Sequence, residues 1–184
     1  LYDIVRIESF INVVLKSQRG LLAKGENINF STTDEDIFVI GENSSLKYND
    51  INMYSDELIN VNNLTGQFNL KGLNSELKTD EIQIFGNSIE GKYFTINGIN
   101  EVQELYVEDQ KQINIITETM DMFALKAIYS KQKNVIELFE NVKIIRGNEI
   151  IIGDYAHIDT LKDSYKVKSN NKQKVKAVIM STDE

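Results

Sequence analysis

Cysteine, proline and tryptophan do not occur in the 184 residues, and histidine occurs once. Without cysteine there are no disulfides, no thiolate nucleophile and no cysteine-ligated zinc or iron–sulfur site. A single histidine, His157 in Gly153-Asp154-Tyr155-Ala156-His157, leaves no Ser/His/Asp set to assemble. No apolar run approaches the roughly 20 residues of a membrane-spanning helix. Positive charge is in deficit: the formal net charge is −8, the wrong sign for a nucleic-acid binder. No glycine-rich phosphate loop appears. The acidic clusters Asp34-Glu35-Asp36, Asp80-Glu81 and Glu108-Asp109 lack the spacing of a calcium loop and coincide with turn signals, so they read as solvated loop charge. No catalytic residue, cofactor or metal ligand is expected, and the chain reads as a non-enzyme. The missing proline leaves strand edges without their simplest blocking residue.

Ile supplies 25 residues, Val 12 and Thr 9, against 5 Ala. β-Branched side chains lose rotamer freedom in helices and pack well on pleated sheets. Part of the Ile, Asn and Lys excess matches the codon usage of an AT-rich genome, so alternation is the firmer signal. Residues 1–18 differ from the rest. Ile4, Ile7, Ile11 and Val14 recur at spacings of three and four, which predicts a short amphipathic helix over 1–18. The first 20 residues are expected to be a helical or extended lead-in, and 21–184 a single domain.

From Leu21 the period becomes two. The alternating pairs include Ile28/Phe30, Phe38/Ile40, Leu46/Tyr48, Ile82/Ile84, Phe94/Ile96, Ile113/Ile115, Ile136/Leu138, Val142/Ile144 and Ile150/Ile152, and the last run is Val175, Ala177, Ile179. Turn signals separate them at Asn49-Asp50, Gly72, Gly86-Asn87, Asn97-Gly98, Glu108-Asp109, Gly147-Asn148 and Gly153-Asp154. Many short strands at regular spacing predict an all-β sandwich, roll or barrel. A weak repeat at 98 residues sets Glu42-Asn43, Asn49 and Ser55-Asp56 against Glu140-Asn141, Gly147 and Gly153-Asp154. It also sets Phe38 against Ile136, Ile40 against Leu138, Leu46 against Ile144 and Met53 against Ile151.

The C-terminal third carries an ordered series of motifs: Ala127-Ile128-Tyr129, Val135 to Val142, Gly147, Gly153-Asp154-Tyr155-Ala156, Ile158-Asp159, Tyr165 to Ser169, and Lys174 to Ile179. This series resembles the OstA-like repeat of the lipopolysaccharide-transport proteins. Glu140 stands where the family's usual residue is Gly, and His157-Ile158-Asp159 where Ala-x-Tyr-Asp is commoner. The resemblance covers about 120–180 well and extends loosely to 21–100. It implies a twisted antiparallel β-jellyroll of two facing sheets, preceded here by the short N-terminal helix. It also implies a periplasmic carrier or bridge that shelters lipid A acyl chains in an apolar groove between inner and outer membranes. A membrane-tethered partner of the same fold is the alternative branch. A signal peptide or anchor is then expected outside this chain.

Further expectations follow from that resemblance. The partners are lipopolysaccharide, through its acyl chains, and inner- and outer-membrane transport proteins joined through edge strands; a head-to-tail homo-oligomer is a further partner, and nucleic acid is not. Inward faces are expected to supply the groove from Phe30, Phe38, Ile40, Leu46, Ile84, Phe94, Ile96, Ile136, Leu138, Ile144 and Ile152; a dry core made of the same residues is the competing reading. The joining edges are expected at Ile28 and Phe30, and at Val175, Ala177 and Ile179. Lys172, Lys174 and Lys176 read either as guards against aggregation or as selectors of an acidic edge. Readings from other classes are a carbohydrate-binding or hydrolytic β-solenoid using Asp34 or Asp109, and a β-module that only assembles. A 98-residue repeat is far longer than a solenoid coil.

Overall fold

The computed structural model of the chain describes residues 6–16, 20–169 and 174–179. Every regular element among them is a strand: β1 (Arg6–Lys16), β2 (Leu21–Ser31), β3 (Asp36–Ile40), β4 (Ser44–Tyr48), β5 (Ile51–Ser55), β6 (Leu58–Asn62), β7 (Gln67–Lys78), β8 (Gln83–Ile96), β9 (Ile99–Ile116), β10 (Asp121–Ser130), β11 (Val135–Arg146), β12 (Glu149–Asp159), β13 (Ser164–Lys168) and β14 (Lys176–Ile179). All the pairings are antiparallel.

The ladder is a simple meander of long, bent rungs. In β7, residues 67–71 pair with one stretch of β8 and 75–78 with another, and the register shifts between Lys71 and Ser75. Similar shifts interrupt β8 after Phe85, β10 after Phe123 and β11 after Phe139. A β-bulge bends a strand and increases its twist. Each long strand therefore turns a corner at mid-length and contributes one arm to each of two facing sheets. Where the corner is tighter, the rung is broken in two. β3 and β4 pair with the two halves of β2; β6 and β5 pair with the two halves of β7; β13 and β14 pair with the two halves of β12. The corners line up as a seam, and the hairpin tips of both sheets face each other on the opposite side.

This corrects the reading of several turn signals. Gly72, Gly86-Asn87, Glu108-Asp109 and Gly153-Asp154 are corners within continuous strands rather than connections between strands. The local chemistry is the same, since a corner needs backbone freedom or close approach just as a turn does. At Gly153, a Cβ would lie 2.5 Å from Val167 Cγ1 and 2.8 Å from the Lys168 carbonyl oxygen. Asn97-Gly98 and Gly147-Asn148 are true hairpin tips.

The helix expected over 1–18 is also corrected. Residues 6–16 are strand β1, paired with β2 from Arg6↔Ser31 to Lys16↔Leu22; the remainder of that stretch lies outside the described residues. Ile7, Ile11, Val13 and Val14 are β-branched, and pairing along the edge of β2 wins over a short helix that is marginal on its own.

The seam is lined by small side chains. Ser44 and Ser55 are cross-strand partners, as are Ser75 and Gly86, and all three serines are buried. Ser55 Oγ donates to the Lys71 carbonyl and accepts from the backbone N–H of Glu57 and Leu58. Ser44 Oγ donates to the Gly41 carbonyl at 2.7 Å. Hydroxyls here satisfy the backbone groups that a broken rung leaves unpaired.

Candidate functional site

The interior is built by rows of inward side chains that run across the rungs. In the second sheet one row is Ala23, Leu46, Met53, Leu77, Ile84, Ile115, Met122, Ile144, Ile151 and Ala177, each the register partner of the next. In the first sheet the matching row is Ile28, Val39, Ile59, Leu70, Ile89, Val107, Ala127, Leu138 and Ala156. Nearly all of these are buried, and each fully buried Ile or Leu is worth about 1.5–3 kcal/mol. The second-sheet row runs out at the C-terminal edge, where Ala177 is exposed and Ile179 is 76% exposed.

Of the expected groove residues, Leu46, Ile84, Ile136, Leu138 and Ile144 lie in this interior, and Phe30 is half-buried against it. Phe38, Ile40, Phe94, Ile96 and Ile152 do not. They face outward at 36%, 37%, 49%, 46% and 42% exposure, and this corrects their assignment. The segments Ile37-Phe38-Val39-Ile40 and Ile150-Ile151-Ile152 are apolar on both faces, so period two gives no phase. A one-residue slip then moves the whole set to the other side. Ile37, Val39 and Ile151 are the inward members, and Phe38 sits between Asn29 and Asn60 on the outer face.

Three cavities follow one another along the mouth, where the hairpin tips of the two sheets face each other. The first, about 800 Å³, is lined by Leu15, Leu21, Phe30, Ile37, Tyr48 and the tips at Asn49, Asn63 and Gly98. A small one of about 150 Å³ lies beside Asp50, Ile99, Ile82 and Tyr129. The third, about 550 Å³, has an apolar floor of Ile82, Met120, Met122, Tyr129, Ile136 and Ile158. Its polar rim is Asp80, Glu81, Glu118, Lys131 and Asp163. The second and third share Asp80, Glu81, Ile82, Tyr129 and Lys131, so they adjoin there.

Side chains tie the two lips together. Asn49 Nδ2 donates to the Gly98 carbonyl at 3.2 Å. Lys131 Nζ reaches Glu81 across the mouth at 3.5 Å, and Glu101 on its own lip at 3.4 Å. Thr119 Oγ1 donates to Asp163 Oδ1 at 2.9 Å, and Arg146 pairs with the same carboxylate and donates to the Asp163 carbonyl at 3.1 Å. The Lys131–Glu81 pair is partly open to water, with side chains 31% and 70% exposed; a tie of this kind contributes on the order of 0.2–1 kcal/mol. Burial, with Glu81 and Glu101 adding to it, pushes the Tyr129 hydroxyl up to about 12.

Sequence reasoning did not find this mouth. Thr79-Asp80-Glu81-Ile82 and Thr117-Glu118-Thr119-Met120 are a repeated Thr-x-x-apolar turn, in which the Thr hydroxyl accepts from the N–H three residues on. That recurrence was the available signal.

The expected edges are partly moved. Ile28 and Phe30 lie in β2, which is paired on both sides, so among the described residues the N-terminal edge is β1. Ala177 and Ile179 lie in β14, which pairs only with β12 among the described residues, and Val175 precedes it. Lys172 lies outside the described residues. His157 is half-buried on β12 between Glu137 and Lys166. The Asp34 carboxylate accepts from the Ser31 hydroxyl, whose Oγ in turn accepts from the Asp34 N–H, and the Asp109 carboxylate accepts from the N–H of Lys111 and Gln112, so the two serve a turn and a corner. They sit at a tip and at the seam, on opposite sides of the roll, and do not form a carboxylate pair. Among the described residues, no group of three or more His, Asp or Glu is placed to hold a metal, and no helix is long and apolar enough to cross a membrane.

Two facing antiparallel sheets of bent rungs, joined at a seam and apolar within, define the OstA-like β-jellyroll fold. No family model matches the sequence, and no curated protein does. Among solved structures, the chain is similar to the crystal structure of LptH from Pseudomonas aeruginosa, the LptA-homologous periplasmic component of the conserved lipopolysaccharide transport device. The TM-score is 0.59 at 14% identity, over 72% of this chain and 96% of that one. At that identity the likeness is one of fold.

Proposed function

We propose that this chain is a periplasmic lipid carrier of the LptA type, a bridge segment that shelters lipopolysaccharide acyl chains between the two sheets. The observation that carries this reading is the continuous apolar interior, which opens along a mouth and at the C-terminal end, in a fold shared with a lipopolysaccharide-transport component. Acyl chains need no charged pocket, because each buried CH₂ contributes about 0.8 kcal/mol. The negative net charge gives no attraction to the lipid phosphates, so affinity rests on the apolar trough. The edges at β1 and at β13 and β14, which have no further strand partner among the described residues, offer backbone for strand addition by membrane-complex partners or by a second copy. Carriage of this kind involves no bond-making step and no cofactor.

The test is saturable binding of a dansyl-labelled fatty acid to the purified chain, and its displacement by lipid A. Binding and displacement with an unchanged β-sheet circular dichroism spectrum are expected. A folded chain that binds neither the probe nor lipid A would overturn the reading.

A further inference from the structure

Resting on that reading, we infer that the cross-lip ties are latches that hold the mouth shut, and that an acyl chain enters sideways by displacing those around Lys131 and Asp163.

The ties recur in a pattern. From Asn49 onward, each second-sheet tip is bonded to a first-sheet tip: Asn49 to Gly98, Glu81 to Lys131, and Thr119 and Arg146 to Asp163. They lie along cavities lined from both sheets, and not over the packed rows. The rows near the seam are already filled, so a tie at the mouth adds little to a core that holds itself. What it governs is the separation of the lips.

The 550 Å³ cavity is the better entry. Its floor includes two methionines, Met120 and Met122, whose unbranched thioethers adapt to an irregular guest. Lys131 spans its rim, and Asp163 gathers two ties from two different hairpins. Every charged member is partly exposed, so water can take over its hydrogen bonds when the lips part. Ligands shift only equilibria that already exist. The weak ties therefore set the fraction of open mouth that a lipid finds.

The chain has no cysteine, so introduced thiols are its only reactive ones. Spin labels at Glu118→Cys and Leu161→Cys, on opposite lips of this cavity, report the gap without any lipid. In Lys131→Gln with Asp163→Asn, the label distance is expected to lengthen and broaden. Asn tolerates the left-handed φ of 49° at position 163. Uptake of the dansyl fatty acid should then be about fivefold faster than in the parent chain, the factor that one or two such ties hold back. Joining Glu81→Cys to Lys131→Cys with a short bis-maleimide should slow uptake below the parent rate. An unchanged label distance in the double variant overturns the latches, and so does parent-rate loading of the cross-linked chain. A lengthened distance in protein that binds no fatty acid at all keeps the latches and removes the lipid reading.

Discussion

Glu140 and Asn141 stand side by side in left-handed backbone, with φ of 64° and 53°, at the corner of β11. Asn accepts that region readily, whereas a long side chain such as Glu pays about 1–2 kcal/mol for it. Glu140 also stands where the resembling repeat has Gly. Glu140→Gly is therefore expected to stabilise the fold by about 1 kcal/mol, read as a higher urea midpoint with an unchanged slope. Tyr129 makes a second prediction at this scale. Its hydroxyl titrates near 12 in the fold, against an ordinary value of about 10. The folded state thus holds the phenolic proton more tightly than the unfolded chain does. The stabilisation is complete below pH 10 and is lost as pH rises toward 12. The urea midpoint should fall across that window, and Tyr129→Phe should make the fall shallower. A fall of the same size in Tyr129→Phe would assign it to other tyrosines; burial also raises Tyr93, and a hydrogen bond with Glu137 raises Tyr155 to about 12.

At the scale of elements, the β content was legible in the sequence and its arrangement was less so. Alternation identifies strands in Ile113/Ile115 or Val142/Ile144, where polar residues mark the other face. It fails in Ile150-Ile151-Ile152, where nothing polar sets the phase. Corners and turns use the same residues, so Gly153-Asp154 looks like a strand end when it is a bend. The 98-residue repeat shows both the strength and the limit of the reading. Its marks fall on equivalent features: corners at 41–43 and 140–141, and tips at Asn49 and Gly147. The corner at 41–43 is one residue longer. Leu46 and Ile144 are accordingly both inward at an offset of 98, whereas inward Ile37 and Val39 match Ile136 and Leu138 at 99. That single residue turned Phe38 and Ile40 to the outside. For β1, helical spacing competed with an open neighbouring edge, and the edge lies outside any local pattern.

At the scale of the whole molecule, the ladder of described residues ends at β1 on one side and at the pair β13 and β14 on the other. Removing residues 174–184 takes away β14 and leaves residues 149–152 of β12 paired with β11 alone. If assembly uses this edge, native mass spectrometry across concentration should show the trimmed chain in smaller species than the full one. An unchanged distribution would place the joint elsewhere. The site was legible only in its coarse character, an apolar trough, because the mouth is made by tips far apart in sequence: Asn49 meets Gly98, and Thr119 meets Asp163. The seam has a different consequence. Each rung carries its own corner and pairs along the ladder with its neighbours, as a unit does in a repeat array. Inserting or deleting one hairpin would change the trough by two strand spacings, roughly 10 Å, and leave the cross-section intact. Such a chain has a gauge and a length that evolve separately: side chains within a rung set the bore, and the number of rungs sets the reach.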